Sequence, residues 1–151
     1  MYEIYTVKFG DNINNLANLY NTTVEELVKI NGIIDINNLK EGMQIIVPAS
    51  NEDDIYKYYT VRKGDTLYGI ADKNNIDIKL LVGINGLEVN DYIYPNQTLI
   101  LPKDGVVLYL TNDNDTITSV VDNYNIGIED LVKNNKNIYL REEQILVLSN
   151  K

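Results

Sequence analysis

The 151-residue chain contains no cysteine and no histidine. Without cysteine there is no disulfide framework, no thiolate nucleophile and no thiolate metal site. Without histidine, the commonest general base and the commonest metal ligand are both missing. Positive charge is also scarce: 13 Lys and Arg stand against 22 Asp and Glu, giving a formal charge of -9. So acidic a chain repels polyanions such as DNA or teichoic acid. No apolar run approaches the length of a membrane span, and the N-terminus has no basic region followed by an apolar stretch. Adjacent carboxylates occur at Glu25-Glu26, Asp53-Asp54 and Glu142-Glu143. A glycosidase needs two carboxyls facing each other across a cleft, roughly 5 to 9.5 Å apart. Neighbours on a helix diverge and neighbours in a linker move, so these pairs read as solvated surface. Neither a metal site, nor a cofactor, nor a catalytic constellation is expected.

What the chain does have is repetition. Tyr5-Thr6-Val7-Lys8-Phe9-Gly10-Asp11 returns as Tyr59-Thr60-Val61-Arg62-Lys63-Gly64-Asp65 and, altered, as Tyr109-Leu110-Thr111-Asn112-Asp113-Asn114-Asp115. Leu27, Leu81 and Leu131 follow their respective Asp at one spacing, and Asn31, Asn85 and Asn135 at another. Equal spacing with drifting identity marks a duplicated folding unit. Units of about 45 residues bury little surface alone and gain from neighbours.

The second copy is clearest. Tyr58 to Arg62 is rich in aromatic and β-branched residues and predicts a strand. A turn at Lys63-Gly64-Asp65-Thr66 follows, and Leu67, Ile70 and Ala71 form the stripe of a short helix. Ile78, Leu81, Val82 and Asn85 mark a second helix, stopped by Gly86. Thr98 to Leu101 is a closing strand ended by Pro102. Copy 1 matches through Ile13, Leu16, Ala17, Val24, Leu27 and Ile45 to Val47, with a Thr23-x-x-Glu26 capping box. Copy 3 matches through Ile117, Val120, Leu131 and Ile145 to Leu148, with a shorter loop before its last strand. The fold class is therefore α+β: three tandem βααβ units, each an antiparallel strand pair with two helices on one face. The expected boundaries are residues 1–48, an acidic linker 49–55, 56–102, a short linker 103–105, and 106–149.

The pattern Tyr-Thr-Val-x-x-Gly-Asp-Thr-Leu-x-x-Ile-Ala, intact at Tyr59 to Ala71, resembles the LysM (lysin motif) family. Ile84-Asn85-Gly86 and Gln97 to Pro102 extend the resemblance. The family binds N-acetylglucosamine-containing glycans, chiefly peptidoglycan and chitin. The resemblance implies a shallow groove between two loops. In copy 2 these carry Gly64, Asp65, Thr66 and Leu67 on one side and Tyr92, Ile93 and Tyr94 on the other. In copy 1 they carry Gly10, Asp11, Asn12 and Ile13, facing Ile34, Asp35 and Ile36. Backbone groups can pair with the acetamido group, and a small apolar notch can take its methyl. Copy 1 departs at Asn12 (Thr66 in copy 2) and Met43 (Gln97), and copy 3 has Asn114 in place of Gly64.

Several of these residues also have structural roles open to them. Asp11, Asp65 and Asp115 read as helix N-caps after the turn. Gly10 and Gly64 serve the backbone. Asn31, Asn85 and Asn135 cap or pin a loop. Tyr5, Tyr59 and Tyr109 pack. The expected function is non-catalytic binding of bacterial peptidoglycan, copy 2 first and copy 1 second, in a cell wall or spore envelope. The alternatives are a protein-assembly module, with copy 3 as the partner-binding part, and the targeting part of a larger wall-lytic enzyme. Neither nucleic-acid binding nor membrane insertion is expected.

Overall fold

A computed structural model describes residues 2–49, 55–135, 138 and 144–150. Its elements run β1 (Tyr2–Thr6), α1 (Ile13–Leu19), α2 (Val24–Asn31), β2 (Gln44–Pro48), β3 (Tyr56–Thr60), α3 (Leu67–Lys73), α4 (Ile78–Asn85), β4 (Thr98–Pro102), β5 (Val106–Leu110), α5 (Ile117–Tyr124), α6 (Ile128–Asn134) and β6 (Ile145–Asn150). The strand, helix, helix, strand order thus occurs three times. β1 pairs with β2, β3 with β4 and β5 with β6. The first and last pairs are antiparallel, with Tyr5 opposite Ile45 and Leu110 opposite Ile145. The acidic stretch Asn51 to Asp54, the pair Glu142-Glu143 and most of the shortened loop before β6 lie outside the described residues.

Each sheet is too small to bury anything alone, so its inner face takes both helices. In the first copy Tyr5, Val7, Ile45 and Val47 meet Ile13, Leu16, Ala17 and Leu27, while Ile4 and Ile46 point outward and stay exposed. The second core joins Val61, Leu99 and Leu101 to Leu67, Ile70, Leu81 and Val82. The third joins Leu146 and Leu148 to Val120 and Leu131. Leu27, Leu81 and Leu131 are each fully buried, and burying such a side chain contributes about 1.5–3 kcal/mol.

The recurring asparagines fasten helix to sheet. Asn85 donates to Leu81 O and Ile100 O and accepts from Ile100 N–H, at 2.9, 2.9 and 2.8 Å. Asn31 makes the same three bonds with Leu27 and Ile46, and Asn135 with Leu131 and Val147. One side chain satisfies both polar groups of a strand residue that has no strand on that side. The sequence reading assigned these asparagines a cap or a pin on the loop; the bonds instead tie each helix to its strand, in the same way in all three strand–helix–helix–strand segments.

By compactness the chain divides into Met1–Leu101 and Pro102–Lys151. The first two copies therefore share one compact unit.

Candidate functional site

The strand-to-helix turn is built the same way three times, and differently from the sequence expectation. The N-caps are Asn12, Thr66 and Thr116, not the aspartates before them. Asn12 accepts from Asn14 and Asn15 N–H, Thr66 from Gly69 N–H and Thr116 from Ser119 N–H. The aspartate one position earlier closes the turn instead. Asp65 Oδ2 accepts from Tyr59 Oη at 2.7 Å and from Arg62 N–H at 2.8 Å. Asp11 does the same with Tyr5 and Lys8, and Asp115 with Tyr109 and Asn112. The tyrosines that read as packing residues thus also hold the turn. Gly10 and Gly64 sit at φ +91° and +92°, and Asn114 takes the same turn position at +72°. Only a residue tolerant of positive φ fits there.

Electrostatics distinguish the copies. Donated hydrogen bonds from Tyr59 and then Arg62 hold the Asp65 carboxyl below its usual range. Burial pushes the Asp11 carboxyl above it, against the same two kinds of bond. Asp11 Oδ1 is buried with no hydrogen-bond partner.

The second wall in copy 2 runs from Leu87 to Gln97. Glu88 and Asp91 close a turn by Glu88 N–H to Asp91 Oδ2 and Asp91 N–H to Glu88 O. Ile93 packs on the core below, which leaves Tyr92 and Tyr94 pointing out, 85% and 59% exposed. Asn96 N–H donates to Val61 O and Val61 N–H to Gln97 O, so the end of this loop lies beside the start of the Gly64 turn. Of the predicted residues in this copy, Leu67 is buried in the core, Gly64 and Thr66 are exposed, and Asp65 is partly buried. An open recess of about 510 Å³ is lined by Tyr58 to Lys63 with Pro95 and Asn96, and none of the predicted residues is part of that lining. The sequence reading missed that recess, because its lining comes from the end of β3, the residues just after it and the tail of a loop.

In copy 1, Ile34 is fully exposed and Asp35 N-caps a single 3₁₀ turn over Ile36–Asn38. Ile13 is core. The turn, however, is already engaged by copy 2. Asn12 Nδ2 donates to Asn85 O at 2.7 Å, Asn18 Nδ2 to Ile84 O at 2.9 Å, and Thr98 N–H to Phe9 O at 2.8 Å. Lys8 Nζ stands 3.5 Å from the centroid of the Tyr58 ring. A Cβ on Gly10 would overlap Gln97 and lie 3.0 Å from Thr98 N, whereas one on Gly64 would meet nothing within 4 Å. The Asn12 departure now has a reason: asparagine caps α1 through its oxygen while its amide reaches the neighbouring copy, which threonine is too short to do.

A family model for the LysM domain matches residues 5–48 and 59–102, together more than half of the chain. The chain belongs to the LysM family. It is similar to the N-acetylmuramoyl-L-alanine amidase sle1 of Staphylococcus epidermidis, 33% identical over 111 residues, covering 66% of this chain and 33% of that protein. It is also similar to the corresponding sle1 amidase of Staphylococcus aureus, at 30% identity over 89% of this chain and 41% of the relative. An endolysin of Bacillus phage PZA is 37% identical over 64% of this chain and 37% of its own length. Among solved structures, the Bacillus cereus spore cortex-lytic enzyme SleL aligns at 32% identity over 68% of this chain and 23% of that one, with a TM-score of 0.31. The chain spans about a third to two fifths of the length of these curated relatives.

The two LysM repeats share their turn chemistry but differ in access. Repeat 2 presents an open turn beside a loop bearing two outward tyrosines. Repeat 1 has its turn against repeat 2 and its Ile34 loop in solvent. Among the described residues no cluster of acidic side chains could hold a metal ion, and no helix is long and apolar enough to cross a membrane.

Proposed function

We propose that this LysM chain binds N-acetylglucosamine-containing glycan, specifically bacterial peptidoglycan, without catalysis. The groove of repeat 2 is the principal site. Gly64, Asp65, Thr66 and Leu67 form one wall and Tyr92, Ile93 and Tyr94 the other. Gly64 and Thr66 offer backbone and hydroxyl groups to the acetamido group, and the exposed faces of Tyr92 and Tyr94 offer sugar-ring contact. Ile93, Asp65 and Leu67 hold these walls in place from below. The observation that carries this reading is the open Gly64 turn next to an exposed Tyr92–Tyr94 loop, within a domain that the LysM model matches. Repeat 1, with Gly10, Asp11, Asn12, Ile13, Ile34, Asp35 and Ile36, takes a smaller share because Gly10 and Asn12 already face repeat 2. The segment from Val106 to Ser149 repeats the element order, the Tyr109–Asp115 bond and the Asn135 pinning, and we read it as a degenerate third copy.

Peptidoglycan is favoured over chitin because the curated relatives cited above are amidases and an endolysin. Their names, with this chain's coverage of a third to two fifths of their length, favour a second reading of the same chemistry: a targeting part serving a wall-lytic activity. Either reading places the protein at a cell wall or spore envelope. The test is retention of the purified chain on insoluble peptidoglycan and on chitin side by side. Retention on peptidoglycan, lost on replacing Tyr92 and Tyr94 by alanine, is the expected result. Equal recovery in the supernatant with and without either polymer rejects the glycan reading in favour of a protein-assembly role.

A further inference from the structure

Repeat 1 holds both ends of the loop that forms one wall of the repeat 2 groove. At the loop's start, Asn12 and Asn18 donate to the carbonyls of Asn85 and Ile84. There a Cβ on Gly86 would lie 2.7 Å from Asn14 Cβ and 2.8 Å from Asn12 Oδ1. At its end, Thr98 N–H donates to Phe9 O, and Gly10 lies against Gln97 and Thr98. Gln97 in turn holds Tyr94 by accepting from its N–H at 3.0 Å. The chain of contacts thus runs from the repeat 1 turn to a residue of the proposed sugar-facing loop.

The arrangement is one-directional. The matching positions of repeat 1's own loop are unloaded: Gly32 has nothing within 4 Å of a built Cβ, and Met43 is 39% exposed where Gln97 is 7% exposed. Nor could the repeat 2 turn clamp another loop in the same way. Asp72 stands where repeat 1 has Asn18, and a carboxylate has no hydrogen to donate to a carbonyl.

We propose that repeat 1 is a clamp on the glycan loop of repeat 2, with Asn12 and Asn18 as positioning residues that set the affinity of a groove they do not line. The proposal rests on the glycan reading above. A loop fixed at both ends before binding has less freedom left to lose when sugar arrives. Avidity between repeats predicts an effect only on long glycan, whereas a clamp acts on a ligand that fills one groove.

The experiment compares the full chain with an Asn12→Asp/Asn18→Ala variant, using chitotriose as a single-groove probe. The carboxylate introduced by Asn12→Asp keeps the cap acceptor that α1 needs, and alanine in place of Asn18 favours the helix. Both donors to repeat 2 are lost, and at position 12 a carboxylate oxygen then faces the Asn85 carbonyl; Asn18→Ala alone, at a residue outside both proposed grooves, removes a donor without adding that charge. Hydrogen exchange is followed at Leu87, Asp91 and Gln97, whose amides are bonded within the loop or to the helix before it. Expected are about tenfold faster exchange at these amides and about tenfold weaker chitotriose binding, with exchange at Leu16 and Leu27 unchanged. If Leu16 and Leu27 also speed up, Asn18→Ala alone, which leaves the cap intact, gives the decisive comparison. Unchanged loop exchange overturns the clamp. Faster exchange with unchanged affinity overturns the positioning role. A parent chain that binds neither chitotriose nor a soluble disaccharide muropeptide overturns the glycan reading and the affinity half of the proposal, and loop exchange then decides the clamp by itself.

Discussion

Gly10 and Gly64 occupy the same turn at φ +91° and +92°, so replacing each by alanine compares one backbone strain in two surroundings. Forcing an L-residue to positive φ costs roughly 1–2 kcal/mol, and both variants incur it. At Gly64 nothing else is touched. At Gly10 the new methyl meets Gln97 and the backbone of Thr98. The Gln97 side chain could swing aside, but its Oε1 accepts from Tyr94 N–H, a bond worth about 1 kcal/mol. The Thr98 backbone is fixed by the sheet and by Phe9 O. Overpacking of this kind costs about 1–3 kcal/mol beyond the strain. Gly10→Ala should therefore lose about 1–3 kcal/mol more than Gly64→Ala. Site-resolved native-state hydrogen exchange suits a chain of two compact units better than one global melting curve. The excess should appear at amides on the interface, such as Thr98, whose N–H bonds to Phe9 O. Equal losses in the two variants, with equal exchange at Thr98, would refute the claim that the repeat 1 turn is docked on repeat 2.

Other substitutions probe the rest of the geometry. Tyr92→Ala and Tyr94→Ala should each weaken retention on peptidoglycan while leaving the melting temperature within about 1–2 °C of the parent, since both rings are largely exposed; a large drop in melting temperature would show that they pack. Asn85→Ala strips three bonds from a buried site and leaves the polar groups of Ile100 unpaired, so it should cost about 2–4 kcal/mol by denaturant titration, and a loss under about 1 kcal/mol would contradict the pinning role. The carboxyl of Asp65 lies below its usual range in the folded chain, so the unfolded chain binds the proton first and the Asp65 contribution, full above about pH 4, is lost as pH falls through the folded value. Asp65→Asn should therefore flatten the acid limb of a stability–pH curve. Asp11, whose carboxyl burial raises, has the opposite sign: its contribution is lost as pH rises, so Asp11→Asn should steepen the acid limb. Identical curves for the two variants would remove the electrostatic distinction between the turns.

Much of the fold was legible because it is local. The stripes Leu67-Ile70-Ala71 and Ile78-Leu81-Val82 put helices where α3 and α4 stand, and Gly86 stops the second at φ +62°. The turn was half legible. Gly-Asp drew the cap to the aspartate, although Asn12-x-x-Asn15 and Thr116-x-x-Ser119 have the spacing of a reciprocal cap and in fact form one. The tyrosine that holds the aspartate lies six residues upstream, too far for any turn pattern to reveal. The Asn12 departure was visible as a departure. Its purpose was not, because the carbonyl it serves is at Asn85, separated by 73 positions in sequence.

Duplication explains why the turn could be read and its contacts could not. Devices that act inside one unit are shared by both LysM repeats and recur in the segment from Val106 to Ser149: the Tyr–Asp bond, the positive-φ residue after the strand, and the asparagine that pins helix to sheet. Each serves its own backbone, so relaxing it destabilises that copy whatever its neighbours do. Residues facing outward obey no such constraint and are free to diverge. Repeat 1 carries Asn12, Asn14 and Asn18 where it meets repeat 2, and repeat 2 carries Thr66, Tyr68 and Asp72 at the matching positions, with Tyr68 61% exposed. The copies therefore agree on how to fold and differ on what they touch. Within Met1–Leu101 the turn whose conformation is preserved and whose surface makes no contact with the other repeat belongs to repeat 2, and that difference is the ground on which the proposed glycan site is assigned to it.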